Sequence, residues 1–295
     1  MDSYSPSTRQ DTIWILGARG RIGRSITQRL HQENKRLVTT DHKALDITNL
    51  EDILIFMERN LPAVVINAAG MSRARDCEEN PEDAFRVNAL GAKNLAIACN
   101  YYGAKLIHIS TDDIFNGQDE TPATELHEPD PTTVYGKTKH YGEKFIQEFC
   151  KQYFIVRSSW VYDYKTIEKI KQGLQNHSLV INRNQVASPT SNELLTKFIV
   201  RLVDSSDFGI YHYTTTGSTS RKGFIEEIAK LLGLEEDYNR CNIVNHPSLH
   251  PHYALMDNFM LRMKKEPQPP LWQDELKSYI ENYYQKIEVS VHEKK

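Results

Sequence analysis

Two stretches of the chain carry residues whose types and spacing can do chemistry. Tyr135-Gly136-Lys137-Thr138-Lys139 sets a phenol and an ammonium four positions apart, so a helix places Tyr135 and Lys139 on one face. A lysine ammonium near a phenol favours the phenolate and lowers its pKa from about 10. The tyrosine then serves as a proton donor near neutral pH. A lone pair of this spacing is more often surface helix, so the surrounding residues decide its meaning. Ser110-Thr111-Asp112 ends an apolar run that reads as a strand. At the C-terminal end of a parallel strand Thr111 faces the ligand crevice, where its hydroxyl can bind a reacting oxygen.

The second stretch is Gly17-Ala18-Arg19-Gly20-Arg21-Ile22-Gly23, between a strand-like run, Thr12–Leu16, and a helical pattern. In that context Gly17 permits the tight turn, Gly20 lets a pyrophosphate approach the backbone, and Gly23 lets helix and strand pack. The helix N-terminus, with Arg21 and Ile22, offers N–H groups and a positive dipole end to phosphates. Asp41 follows Gly23 by 18 residues, at the end of the second strand, where an acid accepts bonds from a ribose hydroxyl. Arg19 and His42-Lys43 are placed to receive a 2′-phosphate instead. The cofactor expected is therefore NADP(H) or NAD(H). Asp46 and Ile47 flank the adenine, or else the segment simply leads to a helix cap at Thr48 or Asn49. Asn67-Ala68-Ala69-Gly70 ends the third strand in residues small enough for Ala68, Ala69 and Gly70 to let a cofactor cross the sheet edge, tight packing being the alternative.

These residues need a scaffold, and the hydrophobic pattern supplies one. Thr12–Leu16, Arg36–Thr40, Ala63–Asn67, Lys105–Ser110 and Phe154–Ser158 read as buried strands. Arg21–Gln32, Leu50–Arg59, Glu82–Tyr102 and Gly136–Gln152 read as helices between them, with Asn80 capping the helix that Pro81 opens. The alternation predicts an α/β fold: a doubly wound parallel Rossmann sheet with right-handed crossovers. After Trp160 the rhythm loosens into a helix near Thr166–Asn176, a strand Leu179–Asn182, a helix after Ser191, a strand Gly209–Tyr213 and a helix Ser220–Leu232. A Pro-, His- and Asn-rich stretch, Asn239–Pro270, follows, then a last helix, Gln273–Tyr284. The domains expected are a dinucleotide-binding domain over 12–160, its sheet also taking strands from 179–213, and a smaller, interleaved C-terminal substrate lobe over 161–287. Residues 1–11 and 288–295 read as flexible tails.

Composition excludes several functions. With 295 residues and a net charge of −3, the chain has no global basic field for nucleic acid or an anionic membrane. No apolar run approaches the roughly 20 residues of a membrane helix, and the polar N-terminus lacks a signal-peptide core. The four cysteines, Cys77, Cys99, Cys150 and Cys241, form no C-x-x-C pair and suit a reducing cytoplasm. His246, His250 and His252 sit among prolines and read as a solvated loop. No metal site is expected.

Taken in order, these motifs resemble the extended short-chain dehydrogenase/reductase family, and within it the dTDP-4-dehydrorhamnose reductase branch. The resemblance runs from about Thr12 to Tyr284. It also rests on Asn88-Ala89-Leu90-Gly91, Arg157-Ser158-Ser159-Trp160-Val161-Tyr162, Asn184-Gln185-Val186-Ala187-Ser188-Pro189-Thr190 and Gly209-Ile210-Tyr211-His212-Tyr213. It implies that Thr111, Tyr135 and Lys139 are catalytic, that Asn88 supports the proton relay, and that Tyr135 and Lys139 touch the cofactor. Ser110, Thr111, Asp112, Tyr135 and Trp160 would meet the substrate, a nucleotide sugar whose 4-keto group is reduced. Three departures from the branch stand out. Asp163-Tyr164-Lys165-Thr166 replaces a longer loop beside the sugar. His250-Pro251 stands where the branch has an Arg-Pro that meets a diphosphate. Ser25 stands where some members carry a metal-bridging glutamate of a dimer, so no metal is carried over and a homodimer stays open. The alternatives are a reductase of another keto substrate, or a dinucleotide-binding regulatory subunit like the methionine adenosyltransferase beta subunit.

Overall fold

The computed structural model describes residues 11–182, 185–244 and 249–292. Strands β1 (Thr12–Leu16), β2 (Arg36–Thr40), β3 (Val64–Asn67), β4 (Lys105–Thr111) and β5 (Tyr153–Ser158) join Gly209–His212 in one sheet. Its order is Gly209–His212, β5, β4, β3, β1, β2. β1 pairs in parallel with β2 and with β3, and β3 with β4. The chain leaves β1 toward one edge and returns to build the other, so the order reverses between β1 and β3, which is where open α/β sheets bind ligands. All five residues of β1 are buried, as expected for a strand covered on both faces. Trp14 also spends its one donor, Nε1–H, on Thr40 Oγ1 at 2.9 Å.

Helices α1 (Arg21–Gln32) and α2 (Leu50–Asn60) alternate with the first strands. α1 buries Gly23, Ile26 and Leu30, its i, i+3, i+4 stripe. The single helix expected over 82–102 is instead a composite. α3 (Ala74–Glu79), which periodicity missed, precedes α4 (Pro81–Phe85), a π-helical turn at Arg86–Leu90, and α5 (Gly91–Tyr102). Asn80 does not cap α4 with its side chain; its Nδ2 donates to the Asp76 carbonyl, one turn back in α3. α6 (Val134–Phe149) is capped by Thr133, whose Oγ1 accepts the Gly136 N–H at 2.9 Å. Trp14, Ile53, Met57, Val65, Leu95, Leu106, Ile146 and Ile155 form the core between the sheet, α2, α5 and α6.

The chain divides into two compact units. The first holds residues up to Asn116, Glu128–Arg157 and Thr196–Tyr211; the second holds Gly117–His127, Ser158–Leu195 and the rest from His212. Of the later strands, Gly209–His212 joins the main sheet, but Val180–Asn182 does not. It pairs in parallel with Asn242–Val244 within the second unit. That unit has its own core of Tyr162, Ile167, Leu174, Phe224, Ile228, Trp272 and Leu276. The stretch 239–270 carries short strands at Asn242–Val244 and Tyr253–Ala254 and a helix at Phe259–Met263. The last helix runs Trp272–His292, past the expected end at Tyr284, because neither glycine nor proline interrupts it. Residues 1–10, Asn184, His246 and the end of the expected tail, 293–295, lie outside the described residues.

Candidate active site

The glycine turn is shaped by atoms that are missing. Gly17 adopts φ +70°, and a Cβ there would stand 2.6 Å from the Ala68 carbonyl oxygen. A Cβ on Gly23 would stand 2.3 Å from the Gly17 carbonyl oxygen, so α1 closes directly onto the turn. Gly20 precedes α1 with no side-chain cap, and no acidic residue stands in the first turn, which leaves an electropositive helix end. The turn opens onto a cavity of about 390 Å³. Gly17, Arg19, Gly20, Asp41, Asp46, Ile47, Ala68, Ala69 and Gly70 line it, with His42, Met71 and Val87. Arg21, Ile22 and Gly23 are not among those lining residues; they form the first turn of α1 behind it. In the 46–49 segment Asp46 and Ile47 line the cavity, and Asn49 Oδ1 caps α2.

Asp41 is already engaged. Its Oδ1 accepts the N–H groups of Lys43 and Ala44 at 3.0 and 3.1 Å, and Arg19 Nε meets Oδ2 at 2.7 Å. Burial works to raise its pKa, but the two N–H bonds, Arg19 and His42 outweigh it and hold the carboxyl below its ordinary value. Arg19 is itself largely exposed, so its guanidinium covers the acid while keeping a face to the cavity side.

At the end of β4, Thr111, Tyr135 and Lys139 come together. A Cβ on Gly136 would stand 2.0 Å from the Asp113 carbonyl oxygen, so this glycine lets the first turn of α6 press onto the 3-10 turn Asp112–Ile114. The contact brings Tyr135 into a hydrogen bond with Thr111. Thr111 Oγ1 also donates to Asp112 Oδ1 at 3.0 Å and accepts the Asp113 N–H. One helical turn on, Lys139 is 5% exposed, and its Nζ lies 2.6 Å from the Ile109 carbonyl oxygen and 3.0 Å from His108 Nε2.

The charge states differ from the expectation. Burial and the nearby Asp113 push the Tyr135 phenol above its ordinary value, against the pull of the Thr111 hydrogen bond. Lys139 does not lower it, because its Nζ is turned onto β4. Burial in turn depresses Lys139 to about 8, opposed by Glu143.

Ser110 also departs from expectation. Its hydroxyl donates to the Glu143 carboxylate in the interior rather than facing a ligand, since successive strand residues point to opposite sides. Glu143, fully buried, meets Arg157 of β5 through a two-nitrogen fork, Nη2–Oε2 at 2.6 Å. Asn88 lies in the π-helical turn, a geometry frequent at functional sites. Its amide exchanges two bonds with the Met71 backbone and donates to Thr138 Oγ1, so it ties the cavity wall to α6 rather than touching Lys139. Sequence reasoning missed Asn67, His108, Glu143 and Arg157. The spacing of Glu143 from Lys139, four along the same helix, was the available signal.

Trp160 belongs to the second unit. It holds a left-handed φ of +37°, and the Arg221 guanidinium stacks 3.8 Å from its ring centroid. In the same unit the shortened segment after it has become a helix start: Asp163 and Thr166 form a capping box, and Tyr164 stacks on Tyr283. Ser25, in the first unit, accepts the Thr196 hydroxyl at 2.9 Å. Among the described residues no cluster is suited to a metal, and no helix is long and apolar enough to cross a membrane.

A doubly wound sheet with a glycine turn at its switch point and a Thr–Tyr–Lys group at the end of β4 defines the short-chain dehydrogenase/reductase class. Comparison with known proteins narrows this. The chain belongs to the RmlD substrate binding domain family, whose model matches residues 11–285. It is 30% identical over 258 residues to dTDP-4-dehydrorhamnose reductase of Streptomyces griseus, covering 83% of this chain and 85% of that one. The crystal structure of a dTDP-4-dehydrorhamnose reductase from Clostridium acetobutylicum superposes with a TM-score of 0.85 at 33% identity, over 92% of this chain and 99% of that one. The Bacillus anthracis dTDP-4-dehydrorhamnose reductase, solved in complex with NADP, gives a TM-score of 0.84 at 29% identity, with the same coverage.

Proposed function

We propose that the chain is an NAD(P)H-dependent reductase of the 4-keto group of a 6-deoxy sugar nucleotide, of the dTDP-4-dehydrorhamnose type. The observation that carries this reading is the Thr111–Tyr135–Lys139 group at the end of β4, on a sheet whose switch point holds the glycine-turn cavity. The residues at that cavity fit a dinucleotide. Gly17, Gly20 and the uncapped start of α1 suit its pyrophosphate, and Ala68–Gly70 leave room for it to cross the sheet edge. Asp41 is already satisfied by backbone N–H groups, and Arg19 lies across it, which favours a 2′-phosphate and hence NADP(H).

When bound, the reduced nicotinamide supplies the hydride to the keto carbon. Thr111 turns its hydroxyl from Asp112 to the keto oxygen and holds it by a hydrogen bond, and Tyr135 gives that oxygen its proton, leaving an alcohol. The raised pKa of Tyr135 keeps the phenol protonated before the step. Asn88 keeps the cavity wall and α6 in register. Retention of Thr111, Tyr135 and Lys139 favours an enzyme over a regulatory subunit. On this reading the enzyme is cytoplasmic, its partner is a nucleotide sugar rather than nucleic acid or a membrane, and it acts as a monomer or a homodimer.

The test is oxidation of NADPH or NADH in the presence of 4-keto-6-deoxy sugars linked to dTDP, GDP, UDP or CDP. Turnover with the dTDP-linked sugar is expected. No turnover with any of the four overturns the reading.

A further inference from the structure

In the second unit an aromatic ring and a cation are fixed face to face. Trp160 holds φ +37°, a left-handed backbone that strains a bulky residue. Its neighbours keep it there: Ser159 Oγ donates to the Ala254 carbonyl at 3.4 Å, and Val161 pairs with Thr190. The ring is only half-buried and lies outside the core of Tyr162, Phe224 and Trp272, so core packing does not account for the strain. What the ring meets is Arg221, whose guanidinium carbon stands 3.8 Å from its centroid.

Arg221 is fixed in turn. Its backbone N–H donates to the Gln185 carbonyl at 2.9 Å, continuing the antiparallel pairing of Thr219–Ser220 with Val186–Ala187. Ser220 caps the helix Arg221–Leu232, accepting the Gly223 N–H at 3.0 Å on Oγ, so the arginine is the first residue of that helix. A cation there opposes the helix dipole, and the helix gains nothing from it. The stack, by contrast, has a chemical use. It occupies the flat face of the guanidinium, while the N–H donors lie in the plane and project from its rim. That rim is a fork that fits two oxygens of one phosphate.

We propose that Arg221, braced on Trp160, binds the diphosphate of the nucleotide-sugar substrate through that fork, and so selects a nucleoside diphosphate. The choice of ligand rests on the reductase reading. In a dTDP-linked 4-keto-6-deoxy sugar the keto sugar and the thymine are uncharged near neutral pH, and the diphosphate carries the whole negative charge. It is therefore the group that a fixed guanidinium can tell apart. Arg221 is a specificity-determining residue, and Trp160 is a positioning residue that acts through it. A braced fork has given up its side-chain freedom before the ligand arrives, so less is lost on binding. A lysine has neither the flat face nor the fork.

The test is titration of the full chain, its dinucleotide site first saturated with NADP+, with dTDP and with thymidine, followed by ligand-detected NMR. The chain should bind dTDP more tightly than thymidine. Arg221→Ala should weaken dTDP by about 10- to 100-fold, the worth of hydrogen bonds to charged groups, and leave thymidine unchanged. Arg221→Lys, which keeps the charge, should recover part of that loss. Trp160→Leu should weaken dTDP too, but cost nothing further once Arg221 is alanine; a merely structural tryptophan would add its loss in both backgrounds. Unchanged dTDP affinity in Arg221→Ala, or an equal loss of dTDP and thymidine, overturns the proposal. Should Arg221→Ala fail to fold, Arg221→Lys decides with the same two ligands. A diphosphate preference that depends on Arg221, in a chain that reduces no keto sugar, supports this site and removes the reductase reading alone. Turnover of the dTDP-linked sugar with a KM that Arg221→Ala does not change removes this site alone.

Discussion

The first unit holds two regions built on opposite principles. At the glycine turn, function comes from side chains that are absent: Gly17, Gly20, Gly23, Ala68 and Ala69 clear space and leave backbone N–H groups to meet an anion. Around Lys139, it comes from polar side chains packed into the interior, where Asn67, His108, Ser110, Glu143 and Arg157 satisfy one another. The first region is local, since one turn and its neighbouring strand end supply most of it. The second draws on β3, β4, β5 and α6. A cleared space tolerates exposure, whereas a buried polar cluster is stable only if every member finds its partner.

The largest effect that would sharpen this contrast is on turnover. Tyr135→Phe should lower the rate of keto reduction by about 10²–10⁴ while dinucleotide affinity, read by fluorescence titration, stays unchanged. Activity near that of the unsubstituted chain would remove Tyr135 from the chemistry. Next comes Glu143→Gln, which leaves Arg157 buried with a neutral neighbour. It should cost about 3–5 kcal/mol in urea unfolding. A loss below about 1 kcal/mol would show that the interior cluster is less interdependent than argued. Gly23→Ala should destabilise by about 1–3 kcal/mol, because the new methyl meets the Gly17 carbonyl. Dinucleotide binding should fall with it; unchanged binding would show that the turn can shift aside.

Two smaller effects concern charge. The folded-state pKa of Lys139 lies near 8, against about 10.4 in an unfolded chain. Between those values the unfolded chain binds a proton that the folded chain does not, so this group makes stability rise with pH, by a slope on the order of 1 kcal/mol per unit. The unsubstituted chain should therefore gain on Lys139→Met as pH climbs through that window; a gap independent of pH would contradict the depressed pKa. Arg19→Ala should weaken NADPH relative to NADH by a few-fold, since an exposed ionic contact is worth up to about 1 kcal/mol. An unchanged preference would return Asp41 to the role of ribose acceptor.

The composite α3–α5 region and the Val180–Asn182 strand show where periodicity ran out. A π-helical turn at Arg86–Leu90 keeps an apolar pattern close to that of one long helix, so Glu82–Tyr102 read as continuous. A short apolar strand such as Val180–Asn182 carries no mark of which sheet will take it.

By itself the sequence determined the glycine turn and the sheet that presents it, because the strand, the turn and the helix start are adjacent in the chain and each follows from local sterics. It also put Tyr135 and Lys139 one turn apart on a helix and Thr111 at the end of a strand. Only the tertiary structure decided their charge states. Burial raises Tyr135 and lowers Lys139, and the bond that turns Nζ toward His108 joins residues far apart in sequence. Desolvation and partner geometry are properties of the packed interior, and no spacing along the chain encodes them.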